Sequence, residues 1–225
     1  MLNKIKKKIH IFHNIYLKNK NFIKKKSYSM DGEDIFIVEY FRKKKNGFYI
    51  DVGCYHPIHR NNTYLLHKNG WSGINIDIHQ FSIDLFNFLR PNDINLNYAV
   101  SDQNGMVEMF YQKKLSQLST IDEQQAQMSF QGNIKKSKIK SLSLDAILEK
   151  TNLTETKIDL LDIDVEGADL RVLKGFTIEK FKPELICVEI HKKDIKNSEI
   201  YKYLSNFSYE LVWSGVFSHI FKSKS

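Results

Sequence analysis

The sequence predicts an α/β fold: a mostly parallel, seven-stranded sheet with helices on both faces and a terminal antiparallel pair. Three observations predict it. Short apolar, β-rich runs alternate with helical patterns. Several of those runs end in an acid, as Phe48-Tyr49-Ile50-Asp51, Ile74-Asn75-Ile76-Asp77 and Leu161-Asp162-Ile163-Asp164 do. The last two apolar runs flank Ser214-Gly215, a turn that favours antiparallel return.

The first strand is expected at residues 48–52, opened by Asn46-Gly47 and closed by Gly53-Cys54-Tyr55-His56-Pro57. Before it, Asp31-Gly32-Glu33-Asp34 starts a helix that runs over residues 35–41 and ends in Arg42-Lys43-Lys44-Lys45, acids first and bases last as the helix dipole favours. In open α/β sheets, ligands bind beyond the carboxyl ends of the strands. Asp51 and Gly53 lie there, the glycine free of a Cβ that would hold a ligand off. Residues 60–63 are expected to cap a helix over 64–68, which Asn69-Gly70 stops. The second strand, 71–78, carries Asp77 at its end, about 20 residues past the glycine turn, where an acid grips a ribose diol in βαβ nucleotide sites. A strand-end aspartate serving turn chemistry is the alternative.

A helix over 81–89 stops near Arg90-Pro91. The third strand is expected at 94–100, with the backbone of Ala99 and Val100 near its tip where a base could rest, and a small hairpin strand at 106–111. Residues 112–138 are polar and without clear period, and are expected to form a substrate-covering loop. Ser143 caps a helix over 144–150. The fourth strand, 157–164, runs into Val165-Glu166-Gly167-Ala168-Asp169. Asp162, Asp164, Glu166 and Asp169 crowd one strand end, a density of like charge that calls for a cation or substrate hydroxyls. Glu166 and Asp169 could instead serve the next helix turn, over 170–173 before Gly175. A fifth strand at 183–191 places Glu189 and His191 at its tip, and a helix over 199–207 precedes the closing pair at 209–213 and 216–221.

Composition bounds the function. The net charge of +8 comes from residues 1–29, which hold nine lysines and no acid, leaving 25 of the 34 Lys and Arg against all 26 acids. The basicity belongs to an N-terminal arm, and the domain expected over 30–225 offers no basic nucleic-acid face. In the arm, Ile5, Ile9, Phe12 and Tyr16 recur at helical spacing among lysines. That stripe either packs on the chain's own domain or forms an amphipathic helix on an anionic membrane surface or membrane-bound assembly. Cys54 and Cys187 have neither pairing nor metal spacing, which with no apolar run of about 18 residues predicts a cytoplasmic protein.

Within this plan the sequence resembles the FkbM family of class I S-adenosylmethionine methyltransferases, which have a Rossmann-like fold. The resemblance runs over residues 28–221. It is carried by residues 29–34, 48–57, Asn61-Asn62-Thr63, Gly70-Trp71-Ser72-Gly73-Ile74-Asn75-Ile76-Asp77, Arg90-Pro91, Ala99-Val100-Ser101-Asp102, residues 163–169 with Leu173-Lys174-Gly175, and Val188-Glu189-Ile190-His191. The first turn lacks the Gly-x-Gly usual in class I enzymes, and Asp77-Ile78 stands where the family often has Glu-Pro. The resemblance implies O-methyl transfer from S-adenosylmethionine to a sugar hydroxyl of a glycan or nucleotide-sugar precursor. The expected cofactor-binding set is Asp51, Gly53, Asp77, Ile78, Ala99, Val100 and Asp102. A hydroxyl must be deprotonated and held in line with the methyl group; Asp164 is the expected general base, with His56 and Glu166 beside it. Asp164, Glu189, His191 and His56 form an expected ligand set for a divalent metal, Mg, Mn or Fe(II). A nucleotide-dependent oxidoreductase shares the early βαβ logic but should carry a glycine-rich fingerprint that residues 51–57 lack. Nucleic-acid binding would rest on the basic arm alone.

Overall fold

The computed structural model describes residues 2–18, 26–191 and 194–224. Lys20, Lys24 and Lys25 of the arm lie outside them. The central sheet has seven strands in the order β3-β2-β1-β7-β8-β10-β9. These are β1 (Phe48–Val52), β2 (Ser72–Asp77), β3 (Ile94–Asn97), β7 (Leu160–Ile163), β8 (Leu185–Glu189), β9 (Tyr209–Ser214) and β10 (Ser218–Ser223). The first five run parallel, and β10 is antiparallel to both its neighbours. Period-two alternation divides the core: Ile50 and Val52 join one apolar layer, while Tyr49 faces the other with Ile37, Leu66 and Trp71.

The helices are α1 (Leu2–Phe12), α2 (Glu33–Tyr40), α3 (Tyr64–Lys68), α4 (Gln80–Leu89), α5 (Glu123–Ser129), α6 (Leu144–Lys150), α7 (Asp169–Lys174), α8 (Ile178–Phe181) and α9 (Glu199–Asn206). Ser143 caps α6 by accepting from the Ala146 N–H at 3.1 Å. Thr63 precedes α3 without a side-chain cap, because its hydroxyl donates to Asp51 instead. A π-helical turn, His13–Lys18, follows α1.

Two departures from the expected order matter. The run 94–100 is not one strand. It divides at Tyr98, and β4 (Ala99–Val100) leaves the main sheet to pair with β6 (Lys135–Leu142), which in turn pairs with β5 (Gly105–Tyr111) in a second, three-stranded sheet. Strand β6 falls at the end of the segment expected to be loop. Its sequence, Lys-Lys-Ser-Lys-Ile-Lys-Ser-Leu, buries only Ile139 and Ser141, so its alternation is nearly all polar. The arm helix does pack on the domain, but of the expected stripe Tyr16 alone takes part. Ile11 and Ile15 are buried with Tyr28, Ile58 and Leu85, whereas Ile5, Ile9 and Phe12 face outward.

Arg90, at the end of α4, is fully buried. Its Nη2 donates to the Pro57 carbonyl at 2.6 Å and Asn61 Oδ1 at 2.7 Å, and its Nη1 to Thr63 Oγ1 at 2.9 Å and the Tyr49 hydroxyl at 3.2 Å. The guanidinium carbon lies 4.9 Å from the Phe86 ring centroid. Removing one member of such a buried charged network leaves its partners unsatisfied, at a cost of about 3–5 kcal/mol. Arg90→Met should therefore lower the unfolding free energy by about that amount in urea titrations, and Arg90→Lys should not restore it, since one ammonium cannot replace the guanidinium fork. An unchanged midpoint in Arg90→Met would remove this network from the account of stability.

Candidate active site

The chain leaves β1 for β2 and β3 on one side and returns to β7 on the other, so the crevice between β1 and β7 is the topological switch point. There the Asp164 N–H donates to the Val52 carbonyl at 2.9 Å. Gly53 has a φ of +86°, and a Cβ built on it would collide with the Asp164 carbonyl. The glycine is thus required by the close approach of the two strand ends, before any ligand is considered. The next turn is held by His56, whose Nδ1 accepts from the backbone N–H groups of Ile58 and His59 at 3.1 and 3.0 Å. Burial, followed by the neighbouring His59, pushes its pKa down to about 3.

A cavity opens over this point. Gly53, Asp77, Ile78, Ala99, Val100 and Asp164 all line it. Asp77 closes one end. Its Oδ2 accepts from the Tyr55 N–H at 2.9 Å and its Oδ1 from the His79 N–H at 2.6 Å, which fixes the carboxylate while each oxygen keeps a further lone pair. Burial raises its pKa to about 6. Residues from Ser116 to Ile121 form the lid of this cavity, so part of the segment expected to cover the site does so. Three side-chain bonds fasten them, Arg60 to Gln117 at 2.6 Å, the His79 ring to Ser119 at 2.7 Å and the Thr120 hydroxyl to the Glu166 carbonyl at 2.8 Å, and Thr120 also exchanges two backbone bonds with Phe110 of β5 at 2.8 and 3.2 Å.

A second cavity of about 420 Å³ adjoins the first, and Gly53, Gln117 and Asp164 line both. Its remaining wall is polar, with Glu33, Asp51, Arg60, Asn61, Asn62, Asp162 and Glu189. Parallel register sets Asp51 directly beside Asp162. Consecutive asparagines serve them, Asn61 donating to Asp51 at 3.0 Å and Asn62 to Asp162 at 3.1 Å. Burial raises Asp51 to about 6; burial and then the Asp51 charge raise Asp162 well above the carboxylate range. Asp164 is raised in the same way, by removal from solvent and then by Glu189, Glu166 and Asp169. Glu166, with a φ of +53°, and Asp169 are each raised to about 7, by burial first.

Glu166, Glu189 and His191 each offer a ligand atom, and these atoms lie within 4.8 Å of one another. Glu189 Oε2 is buried without a hydrogen-bond partner among the described residues and stands 3.3 Å from His191 Nε2. Of the expected metal set, the structure brings Glu189 and His191 together, adds Glu166, and leaves Asp164 and His56 outside this group. His56 is engaged in its own turn, so neither a catalytic nor a ligand role fits its placement. Asp51 lines the polar cavity and not the one with Asp77, because Thr63 and Asn61 draw its carboxylate to that side. Asp102 is exposed, accepts from Ser101 at 3.0 Å and lines neither cavity, because the chain turns away after β4. Sequence reasoning missed Asn62 and Gln117, whose polar side chains carry no signal until the turn and lid are folded.

The residues fit a bound adenosyl sulfonium compound. Val52, Ile76, Ile78, Ala99 and Val100 supply apolar walls for a base, Asp77 an acceptor for ribose hydroxyls, and the acidic strand ends a counter-charge for a cation. Neither the curated proteins nor the solved structures gave a match. A family model for the methyltransferase FkbM domain matches residues 51–211, from the end of β1 into β9. With the seven-stranded sheet and the cavity at its switch point, that match makes the chain a methyltransferase of the FkbM family.

Proposed function

We propose that this chain transfers a methyl group from S-adenosylmethionine to a hydroxyl of a sugar, carried on a glycan or nucleotide-sugar precursor, in the cytoplasm. One observation carries the reading. Asp164 stands on the shared wall between a largely apolar cavity with a ribose-type acid and a second cavity rich in carboxylate, amide and guanidinium groups. Amide and acid side chains of that kind orient sugar hydroxyls by hydrogen bonds.

Bound S-adenosylmethionine supplies an electrophilic methyl carbon on a positively charged sulfur. Asp77 would accept from the ribose hydroxyls, and Asp164 would take the proton of the acceptor hydroxyl as that hydroxyl's oxygen receives the methyl group and S-adenosylhomocysteine departs. Asn62 and Gln117 hold the acceptor in line, and the lid excludes water from the reacting atoms. Glu166, Glu189 and His191 would hold a divalent cation, Mg, Mn or Fe(II), where it would lower the pKa of a nearby hydroxyl.

Three outcomes test this reading. Asp164→Ala should keep S-adenosylhomocysteine affinity by calorimetry while turnover, read as S-adenosylhomocysteine release over a nucleotide-sugar panel, falls about 10²- to 10⁴-fold. Undiminished turnover would dismiss Asp164 as the base.

Asp77→Asn should weaken S-adenosylhomocysteine binding about 10- to 100-fold at pH 7.5, the cost of losing hydrogen bonds to a charged acceptor. The wild-type affinity should fall as pH drops through about 6, where the buried carboxylate takes up a proton. Stability of the ligand-free protein has the opposite sign. The folded pKa lies above the ordinary 3.8, so the folded state binds more protons, and this group makes the fold less stable as pH rises from 3.8 to about 6. Affinity indifferent to pH across that range would contradict the ribose role.

After EDTA treatment, saturating Mn²⁺ or Mg²⁺ should raise Tm by about 2–4 °C, and Glu189→Gln should abolish the rise. No shift with either ion would rule out the metal.

A further inference from the structure

The outward face of α1 continues in a stripe that the domain leaves uncovered. Lys7 pairs with Asp84 at 2.7 Å, His10 stacks on Phe81 with ring centroids 4.6 Å apart, and Ile11 and Asn14 are buried. Those four positions, at three- and four-residue spacing, fasten one side of the helix to α4 and the 58 turn. On the opposite side Ile5, Ile9 and Phe12 are 51%, 63% and 50% exposed, and Leu17 in the next turn is 54% exposed. Lys4, Lys6 and Lys8 are exposed on the flanks of that stripe. The helix is therefore amphipathic outward, with its inner side already occupied.

We propose that this face docks the protein on an anionic lipid surface, α1 lying in the interfacial plane with Ile5, Ile9 and Phe12 in the acyl boundary and the flanking lysines among the headgroups. Charge selects this occupant. Residues 1–29 carry nine lysines and no acid, so a second copy would bring like charges together. Nucleic acid would use the lysines but leave the isoleucines and phenylalanine in water. No helix among the described residues is long and apolar enough to cross a membrane, which suits a helix lying on its surface. Because α1 is tied to α4 by an ion pair and a ring stack, docking would fix the orientation of the whole domain relative to the lipid.

The test is co-sedimentation of the full chain with vesicles of phosphatidylcholine alone or with about 30% phosphatidylglycerol, enough anionic lipid for a polybasic helix to sense. Binding is expected to the anionic vesicles only, and Ile9→Gln/Phe12→Gln should reduce it at least about tenfold, since the apolar contact is lost while every lysine remains. Both positions are exposed, so thermal stability and S-adenosylhomocysteine binding should be unchanged in the variant. Failure to bind either vesicle would overturn the proposal. So would anionic-vesicle binding that survives the double substitution, salt-sensitive RNA binding in place of lipid binding, or a concentration-dependent dimer that the double substitution abolishes.

Discussion

A buried guanidinium that has no carboxylate in direct contact is the constraint around which the site is built. Arg90 is satisfied by neutral oxygens, the Pro57 carbonyl, Asn61, Thr63 and the Tyr49 hydroxyl, and by the Phe86 face. The counter-charges stand one bond further out. Asp51 accepts from Thr63 and Asn61, and Asp93 accepts from Tyr49 at 2.6 Å. These bonds offset the cost of burying the charge, while the Arg90 Nε stays buried without a hydrogen-bond partner among the described residues. The turn 57–63 is consequently pinned from its back, by side chains of α4, and does not need a glycine-rich loop to hold its path. That is the physical reason bulky Cys54, Tyr55 and His56 can stand where related nucleotide sites use glycines: Cys54 and His56 are buried in the pinned interior, and Gly53 is the position where a Cβ would strike the Asp164 carbonyl.

The pinned turn has an electrostatic consequence. Because Asn61 and Asn62 are fixed, each can serve one of the paired acids, Asp51 and Asp162, that parallel register forces side by side. Beyond them Asp164, Glu166, Asp169 and Glu189 add further charge, and burial followed by mutual repulsion raises the pKa of Asp164, Glu166 and Asp169. An assembly of that sign is costly to keep ionised, and a cationic ligand relieves it. A sulfonium cofactor would do so from the apolar side, and a divalent ion at Glu166, Glu189 and His191 would do so from the polar side.

The main sheet was legible because its strands are buried on both faces and so read as apolar runs; β1 has the expected bounds, and α6 those set by its Ser143 cap. Asp77 and Asp164 were legible because topology places strand ends at ligand sites. What was not legible depends on contacts distant in sequence. Strand β6 has one solvated face covered in lysine, so no apolar period marks it, and without it the break at Tyr98 has no cause. His56 looks like a ligand in sequence, and only its two backbone donors show that its ring belongs to the turn. The arm illustrates the same limit: Ile5, Ile9, Phe12 and Tyr16 have the regular spacing of a packing face, yet the domain selected Ile11 and Ile15, whose partners Tyr28, Ile58 and Leu85 lie far along the chain.

The lid connects these parts into one device. Its fastenings reach four different elements: Arg60 on the pinned turn, His79 just past the Asp77 strand end, the Glu166 loop beyond β7, and Phe110 of β5. Gln117 lines both cavities, so the same short segment contacts the two. The three side-chain fastenings are single hydrogen bonds, worth about 0.5–1.5 kcal/mol net each, whereas Phe110 and Thr120 exchange two backbone bonds. Together these contacts tie the turn after β1, the end of β2, strand β5 and the loop beyond β7 to one segment over the cavity.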